Sequence, residues 1–164
     1  MPEHPLSAVI PHFDRASYHA GITAAFAEIV AMGCKQLALS PAYTPDELVT
    51  MLPITLQIVA HHGLVMLVEP DLLVTPLFPA DIAVGLTVIL IAREQEALDV
   101  YGALKAMHTR SAAAGQLAVV AQELAWRFGR LLSYDDVAIQ HLLDTQHTRH
   151  SGQAPEEPGA PPQQ

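Results

Sequence analysis

The spacing of apolar residues along the chain predicts that helices and strands alternate over its first two thirds. A helix is predicted over residues 15–32, with Asp14 or Ser17 as its candidate N-cap and Gly33 as its stop signal. The apolar positions that recur there at the three- to four-residue spacing of a helix are Ile22, Phe26 and Ile29.

Short apolar segments predict the strands of a small sheet. They cover residues 35–40, 64–69 and 87–92. Between the first two segments, Thr44 and Glu47 have the spacing of a capping box that starts a helix. This helix should run toward His62 and end at Gly63, and Pro53 inside it should kink it or split it in two.

The succession of these elements predicts an α/β fold. A strand–helix–strand unit gives parallel, adjacent strands with a right-handed connection. The last third of the chain has the periodicity of helices, at residues 94–110, at 117–131 and after Ser133. We therefore expect a three- to four-stranded, at least partly parallel sheet, with flanking helices and a C-terminal helical layer.

Composition divides the chain into three parts. Residues 1–14 contain three prolines and predict an irregular N-terminal arm, and residues 15–150 show no internal boundary, which predicts a single domain. Residues 151–164 contain four prolines and no large apolar side chain, so this tail is predicted to be disordered.

The charge balance argues against several classes of partner. The chain has 17 acidic and 8 basic residues, a net charge of −9, and no polybasic cluster for nucleic acid or an anionic membrane. Its most apolar stretch, residues 64–92, is interrupted by acidic residues and prolines, so no membrane span is predicted. One cysteine, Cys34, and no basic leader favour a soluble, cytoplasmic protein.

Candidate ligand-binding residues follow the first two predicted strands. If those strands are parallel, Ser40, Tyr43, Glu69 and Asp71 share one rim of the sheet, where open α/β sheets bind ligands. The following helix N-terminus would offer N–H groups to an anion, and the carboxylates would offer oxygens to a divalent cation or serve as a general base. The simpler alternative is that these residues only cap a helix and flank the turn at Pro70.

A second pair, His12 and Asp14, precedes the first predicted helix. A neutral histidine beside a carboxylate suits a general base or a metal ligand, and the pair would complete a metal site if it folded over Glu69 and Asp71. The plain alternative makes Asp14 an N-cap and Phe13 its hydrophobic staple. No cofactor is evident from the sequence beyond this divalent cation.

The remaining polar groups have simpler structural explanations. His61 and His62 are adjacent, so their side chains diverge on a helix, and Cys34 is predicted to be a buried structural thiol. Histidines 141, 147 and 150 lie at a helix end that is predicted to fray. An anion or partner patch is one interpretation of Arg127 and Arg130 with Trp126 and Tyr134, although a solvated helix face and core aromatics explain them more simply.

Two functional hypotheses follow from the sequence. The first is a small-ligand- or divalent-metal-binding protein, with or without enzymatic activity, and its site is at the strand rim. The second is a non-catalytic protein that forms a homo-oligomer or binds a protein partner through its C-terminal helices, residues 117–146. Dinucleotide, phosphate-loop, zinc-protease and serine-hydrolase signatures are all absent from the sequence.

Overall fold

The computed structural model describes residues 14–78 and 83–151, with side chains through residue 145. His12, most of the predicted N-terminal arm and the tail beyond residue 151 lie outside the described residues. The helices and strands, in chain order, are α1 (Arg15–Ala31), β1 (Leu37–Leu39), α2 (Pro45–His62), β2 (Val65–Glu69), β3 (Val88–Ala92), α3 (Gln95–Ala113), α4 (Leu117–Leu131) and α5 (Asp136–Ser151).

Local signals explain where the first two helices begin and end. The Asp14 carboxylate accepts hydrogen bonds from the N–H groups of residues 16 and 17 at the start of α1. Thr44 and Glu47 form the expected capping box at the start of α2, and Gly63 ends that helix with a φ of 64°, in the left-handed region. The predicted N-cap, capping box and C-cap are therefore confirmed.

The sheet is antiparallel, and the prediction of a partly parallel sheet is wrong. Its order is β1-β3-β2, and β3 pairs antiparallel with both neighbours. The strands β1 and β2 do run in the same direction, but β3 lies between them, so no hydrogen-bonded neighbours are parallel. The physical reason is burial: all five residues of β3 are buried, and a strand covered on both faces belongs in the centre.

Helices cover both faces of this sheet. Val88 and Leu90 of β3 face a core formed with α3 and α4, whereas Ile89 and Ile91 face a core formed with α1 and α2. This alternation follows from the two-residue period of a strand. A smaller third cluster joins α5 to α4, and Ile139 of α5 packs there against Gly129 of α4.

The two long helices α2 and α3 contain 18 and 19 residues. Pro53 does not split α2, which continues as one helix from Pro45 to His62. Across residues 14–78 and 83–151, no helix combines the length and the apolar character that crossing a membrane requires.

Candidate functional site

A polar network surrounds Glu69 at the end of β2. One carboxylate oxygen accepts hydrogen bonds from Lys105 Nζ at 2.6 Å and from the Asp71 N–H at 2.9 Å, and the other accepts from the Tyr101 hydroxyl at 3.1 Å. The residue is 5% exposed, so the negative charge is buried and is met by three donors. The Tyr101 oxygen in turn accepts from the Leu73 N–H at 3.1 Å.

Lys105 occupies the space between the two acidic residues of this predicted rim. Its Nζ lies 2.6 Å from a Glu69 oxygen and 3.6 Å from Asp71 Oδ2, and it also donates to the Asp71 carbonyl. The Asp71 side chain is otherwise open to solvent, with 86% of its surface exposed. Burial raises the pKa of the Tyr101 phenol far above its usual value, and the negative charge of Glu69 adds to this rise.

The other two predicted rim residues, Ser40 and Tyr43, hold strand and core together. Ser40 Oγ donates to the Pro41 carbonyl at 2.7 Å and accepts from the Ile89 N–H at 2.8 Å. Tyr43 is fully buried, and its hydroxyl lies 3.2 Å from Thr23 Oγ1. Burial raises the pKa of Tyr43, and hydrogen bonds with Thr23 and Ser40 partly offset this rise.

The structure joins the predicted rim residues in two separate pairs. Glu69 pairs with Val88 on the face that carries α3 and α4, whereas Ser40 bonds to Ile89, whose side chain faces α1 and α2. Because β3 separates the two outer strands, these strands lie about 10 Å apart. Asp14 is the N-cap of α1, which packs on the face opposite Glu69, and a hydrogen bond from the Ser17 side chain lowers its pKa.

The predicted metal ligands do not converge in the part of the chain that the structure describes. No group of three His, Cys, Asp or Glu residues there could hold a metal ion. The rings of His61 and His62 meet edge to face, 5.0 Å apart. His12 lies outside the described residues, so the metal and ligand roles given to the rim stay predictions.

A larger site lies at the opposite end of the sheet. A cleft of about 790 Å³ opens between the first half of α3, the end of α4 and the loop that enters β1. We call it the basic cleft, and its lining residues are Gly33, Lys35, Gln36, Arg93, Glu94, Glu96, Ala97, Val100, Ala103, Leu104, Arg127, Arg130 and Leu131.

Positive charge is concentrated in the basic cleft. The whole chain has only 8 lysine and arginine residues, and four of them, Lys35, Arg93, Arg127 and Arg130, line this one space. Two carboxylates, Glu94 and Glu96, line it as well, so cations are in excess there although the chain carries a net charge of −9. The lining residues therefore carry a net positive charge, whereas the whole chain carries a net negative one.

Aromatic rings and acidic residues hold three of the four cations. The Lys35 ammonium donates to the Leu132 carbonyl at 2.6 Å and lies over the Tyr134 ring, 4.9 Å from its centroid. Arg130 makes two hydrogen bonds of 3.1 Å to Asp136 and lies over the Trp126 ring. Arg127 Nη1 lies 3.5 Å from Glu123, on the preceding turn of α4.

Arg93 is the least constrained of the four. Its Nε lies 3.9 Å from the Glu94 carboxylate, at the limit of an ion pair, and its side chain is 59% exposed. Arg93 Nη1 lies over Gly33, since a Cβ atom there would stand 3.2 Å from it. The guanidinium therefore lies beside the loop before β1, in the lining of the cleft.

Sheet pairing explains why these distant residues meet. Leu37 pairs with Ala92, so the residues just before β1 and just after β3 lie side by side, which brings Lys35 beside Arg93. The α4–α5 turn fixes the same loop, because Ser133 Oγ accepts the Gln36 N–H at 2.9 Å. Of these four cations, the sequence analysis identified only the α4 arginines, Arg127 and Arg130. Residues three apart share a face of a helix, whereas the pairing of the strands could not be predicted from the sequence.

The N-terminus of α3 also opens toward this space. Its N-cap, Glu94, makes no side-chain cap hydrogen bond, and the first turn of the helix lines the cleft. The positive end of a helix dipole favours an anion, as do the four basic side chains. Chemically, the basic cleft is suited to bind negative charge rather than to hold a metal ion.

Comparisons of the chain with protein-family models, with curated proteins and with solved structures found no match.

Proposed function

We propose that this protein binds a small anionic ligand, a carboxylate or a phosphate, in the basic cleft. The observation that carries the proposal is that half of the chain's lysine and arginine residues line one cleft of about 790 Å³ in a strongly acidic protein. Pockets that hold small molecules have volumes of roughly 300–1,000 Å³, so the cleft has a suitable size. The proposal keeps the small-ligand hypothesis and places the site at the other end of the sheet.

The existing ion pairs leave these cations able to bind a ligand. The side chains of Arg93, Arg127 and Arg130 are 59%, 57% and 60% exposed, and ion pairs in such positions contribute only about 0–1 kcal/mol. A guanidinium has five N–H donors, and the two bonds to Asp136 leave the other donors of Arg130 available. A ligand carboxylate or phosphate can therefore be bound without breaking a buried interaction.

Net charge favours a small ligand over nucleic acid. A long polyanion would meet the field of the whole chain, whose net charge is −9. Nucleic-acid binding surfaces spread many cations along a stripe or face, whereas here the cations are gathered in one cleft. A ligand that fits inside the cleft interacts mainly with the local positive charge.

Thermal-shift titration with phosphate, citrate and acetate tests the proposal. A ligand at about 100 times its Kd stabilises a protein by roughly 2.7 kcal/mol, so a rise in Tm is expected for at least one anion. The variants Arg93→Gln and Arg127→Gln should each reduce that rise. The matched control is Arg110→Gln on α3, an exposed arginine outside the cleft. Equal shifts in all four proteins, or no shift with any anion, would refute the proposal.

The second hypothesis, association through the C-terminal helices, has weaker support. Val119 of α4 and Val137 of α5 are 82% and 80% exposed. Val119 lies in the first turn of α4, about 18 Å of helix from the end at Leu131 with 1.5 Å of rise per residue, whereas Val137 lies in the first turn of α5. Light scattering at several protein concentrations tests it, and a constant monomer mass would count against it.

We also propose that the protein works in a reducing compartment, such as the cytoplasm. Its one cysteine, Cys34, is exposed rather than buried as predicted, so in an oxidising compartment it would be open to disulfides with other molecules. Non-reducing electrophoresis of the protein from its native source should show monomer without a disulfide-linked species.

A further inference from the structure

We infer that the ligand of the basic cleft is amphipathic, with an anionic head and a short apolar body. This inference rests on the proposed function, because it assigns the chemistry of a ligand in that same cleft. It goes further in stating that the cations bind only one part of the ligand. The observation behind it is an apolar surface that lies beside the charged residues in the same cleft.

That apolar surface is formed by one face of α3 and the end of α4. Leu104 and Leu131 are buried and form its base, and Val100 is 42% exposed within the cleft. Ala97 and Ala103, which flank Val100 on the same helix, have short side chains that leave the cleft open. An inorganic anion has no group that could cover Val100, whereas a chain of a few carbons would.

Charge and apolar surface lie side by side along the cleft. Arg93 and Lys35 stand where β3 ends and β1 begins, beside the first turn of α3. Val100 and Ala103 lie one to two turns further along α3, about 8–12 Å from its start at 1.5 Å per residue. A head group held by the cations at the sheet end therefore places a body of about four to six carbons over Val100.

A chain-length series tests this inference. The probes are inorganic phosphate and the n-butyl and n-hexyl phosphates, with acetate, hexanoate and the neutral n-hexanol beside them, measured by calorimetry on the full chain. Burial of one CH₂ contributes about 0.8 kcal/mol, so each added carbon that contacts the cleft should tighten binding by about two- to fourfold. The phosphate and carboxylate arms show which head group is preferred, and hexanol should bind far more weakly than either hexyl anion.

A pair of valine variants shows where the apolar body binds. Val100→Ser should weaken hexyl phosphate about three- to tenfold in Kd, because Val100 supplies only part of the apolar surface, and should leave the Kd of inorganic phosphate within about twofold. The matched control is Val119→Ser, at an exposed position of α4 outside the cleft. It should change neither Kd.

The outcomes separate the two proposals. If phosphate and hexyl phosphate bind equally well, the amphipathic ligand is refuted and the anion-binding function stands. If no anion binds, the function itself is refuted. If hexanol binds as tightly as hexyl phosphate, the anionic head contributes nothing, and if Val119→Ser weakens hexyl phosphate as much as Val100→Ser does, the alkyl chain binds elsewhere. Either result overturns the inference.

Discussion

Substitution of Lys105 by methionine should destabilise the protein substantially, because it leaves the buried Glu69 carboxylate without its cation. The Lys105 Nζ lies 2.6 Å from that carboxylate, and the two side chains are 30% and 7% exposed. Breaking a fully buried ion pair from one side costs about 3–5 kcal/mol. Here the lysine is partly solvated, and the Tyr101 hydroxyl and the Asp71 N–H still donate to Glu69. We therefore expect Lys105→Met to lower the free energy of unfolding by about 2–3 kcal/mol.

Urea unfolding of the wild type and the variant measures this cost. For a chain of this size the loss corresponds to a fall in Tm of about 4–12 °C. Arg110→Met, an exposed position five residues further along α3, is the control and should cost less than about 0.5 kcal/mol.

A double-mutant cycle separates the ion pair from other effects of the substitution. Glu69→Gln removes the buried charge. Lys105→Met should therefore lower the free energy of unfolding much less in the Glu69→Gln background than in the wild type. If the two single costs simply add, or if Lys105→Met costs less than about 0.5 kcal/mol, the reasoning about a buried charge is refuted.

Four further predictions follow from individual contacts. Thr55 is fully buried, and its hydroxyl has no hydrogen-bond partner among the described residues, so Thr55→Val should stabilise the protein by about 1 kcal/mol in urea unfolding; a loss of stability would contradict this. A Cβ at Gly129 would stand 2.8 Å from Ile139 and 2.9 Å from Leu77, so Gly129→Val should cost about 1–3 kcal/mol, whereas Gly102→Val, with open space, should cost less. Gly63→Ala should lower the free energy of unfolding by about 1 kcal/mol, because φ at this residue is +64°. The control is Gly21→Ala, and the urea midpoint of Gly63→Ala should lie below that of this control. Because the Ser17 side chain lowers the pKa of Asp14, Ser17→Ala should raise that pKa in an NMR titration; the stabilisation by the Asp14 cap is present above about pH 4 and is lost as the pH falls through the folded-state pKa.

The amino-acid sequence by itself determined most of the secondary structure. The N-cap, the capping box and the left-handed glycine at the end of α2 involve residues only a few positions apart, so their geometry follows from the local chain. The three strands fall within the predicted segments because short apolar runs favour strands, and β3, which is buried along its whole length, is also rich in β-branched residues. The Glu69–Asp71 hydrogen bond is equally local, spanning two residues.

Only the tertiary structure decided which strand lies in the centre and where the basic cleft is. The two-residue period of a strand specifies its faces but not its neighbours, and β3 separates two strands that the sequence suggested were adjacent. The position of β3 between β1 and β2 divides the predicted rim. The pairing of β3 with β1, in which Leu37 lies opposite Ala92, also brings Lys35 and Arg93 together. These cations are 58 positions apart in the sequence, and no local pattern encodes a contact made through strand register. The α4 arginines were visible as a pair because a helix repeats every few residues, but the cleft that they complete exists only in the folded chain.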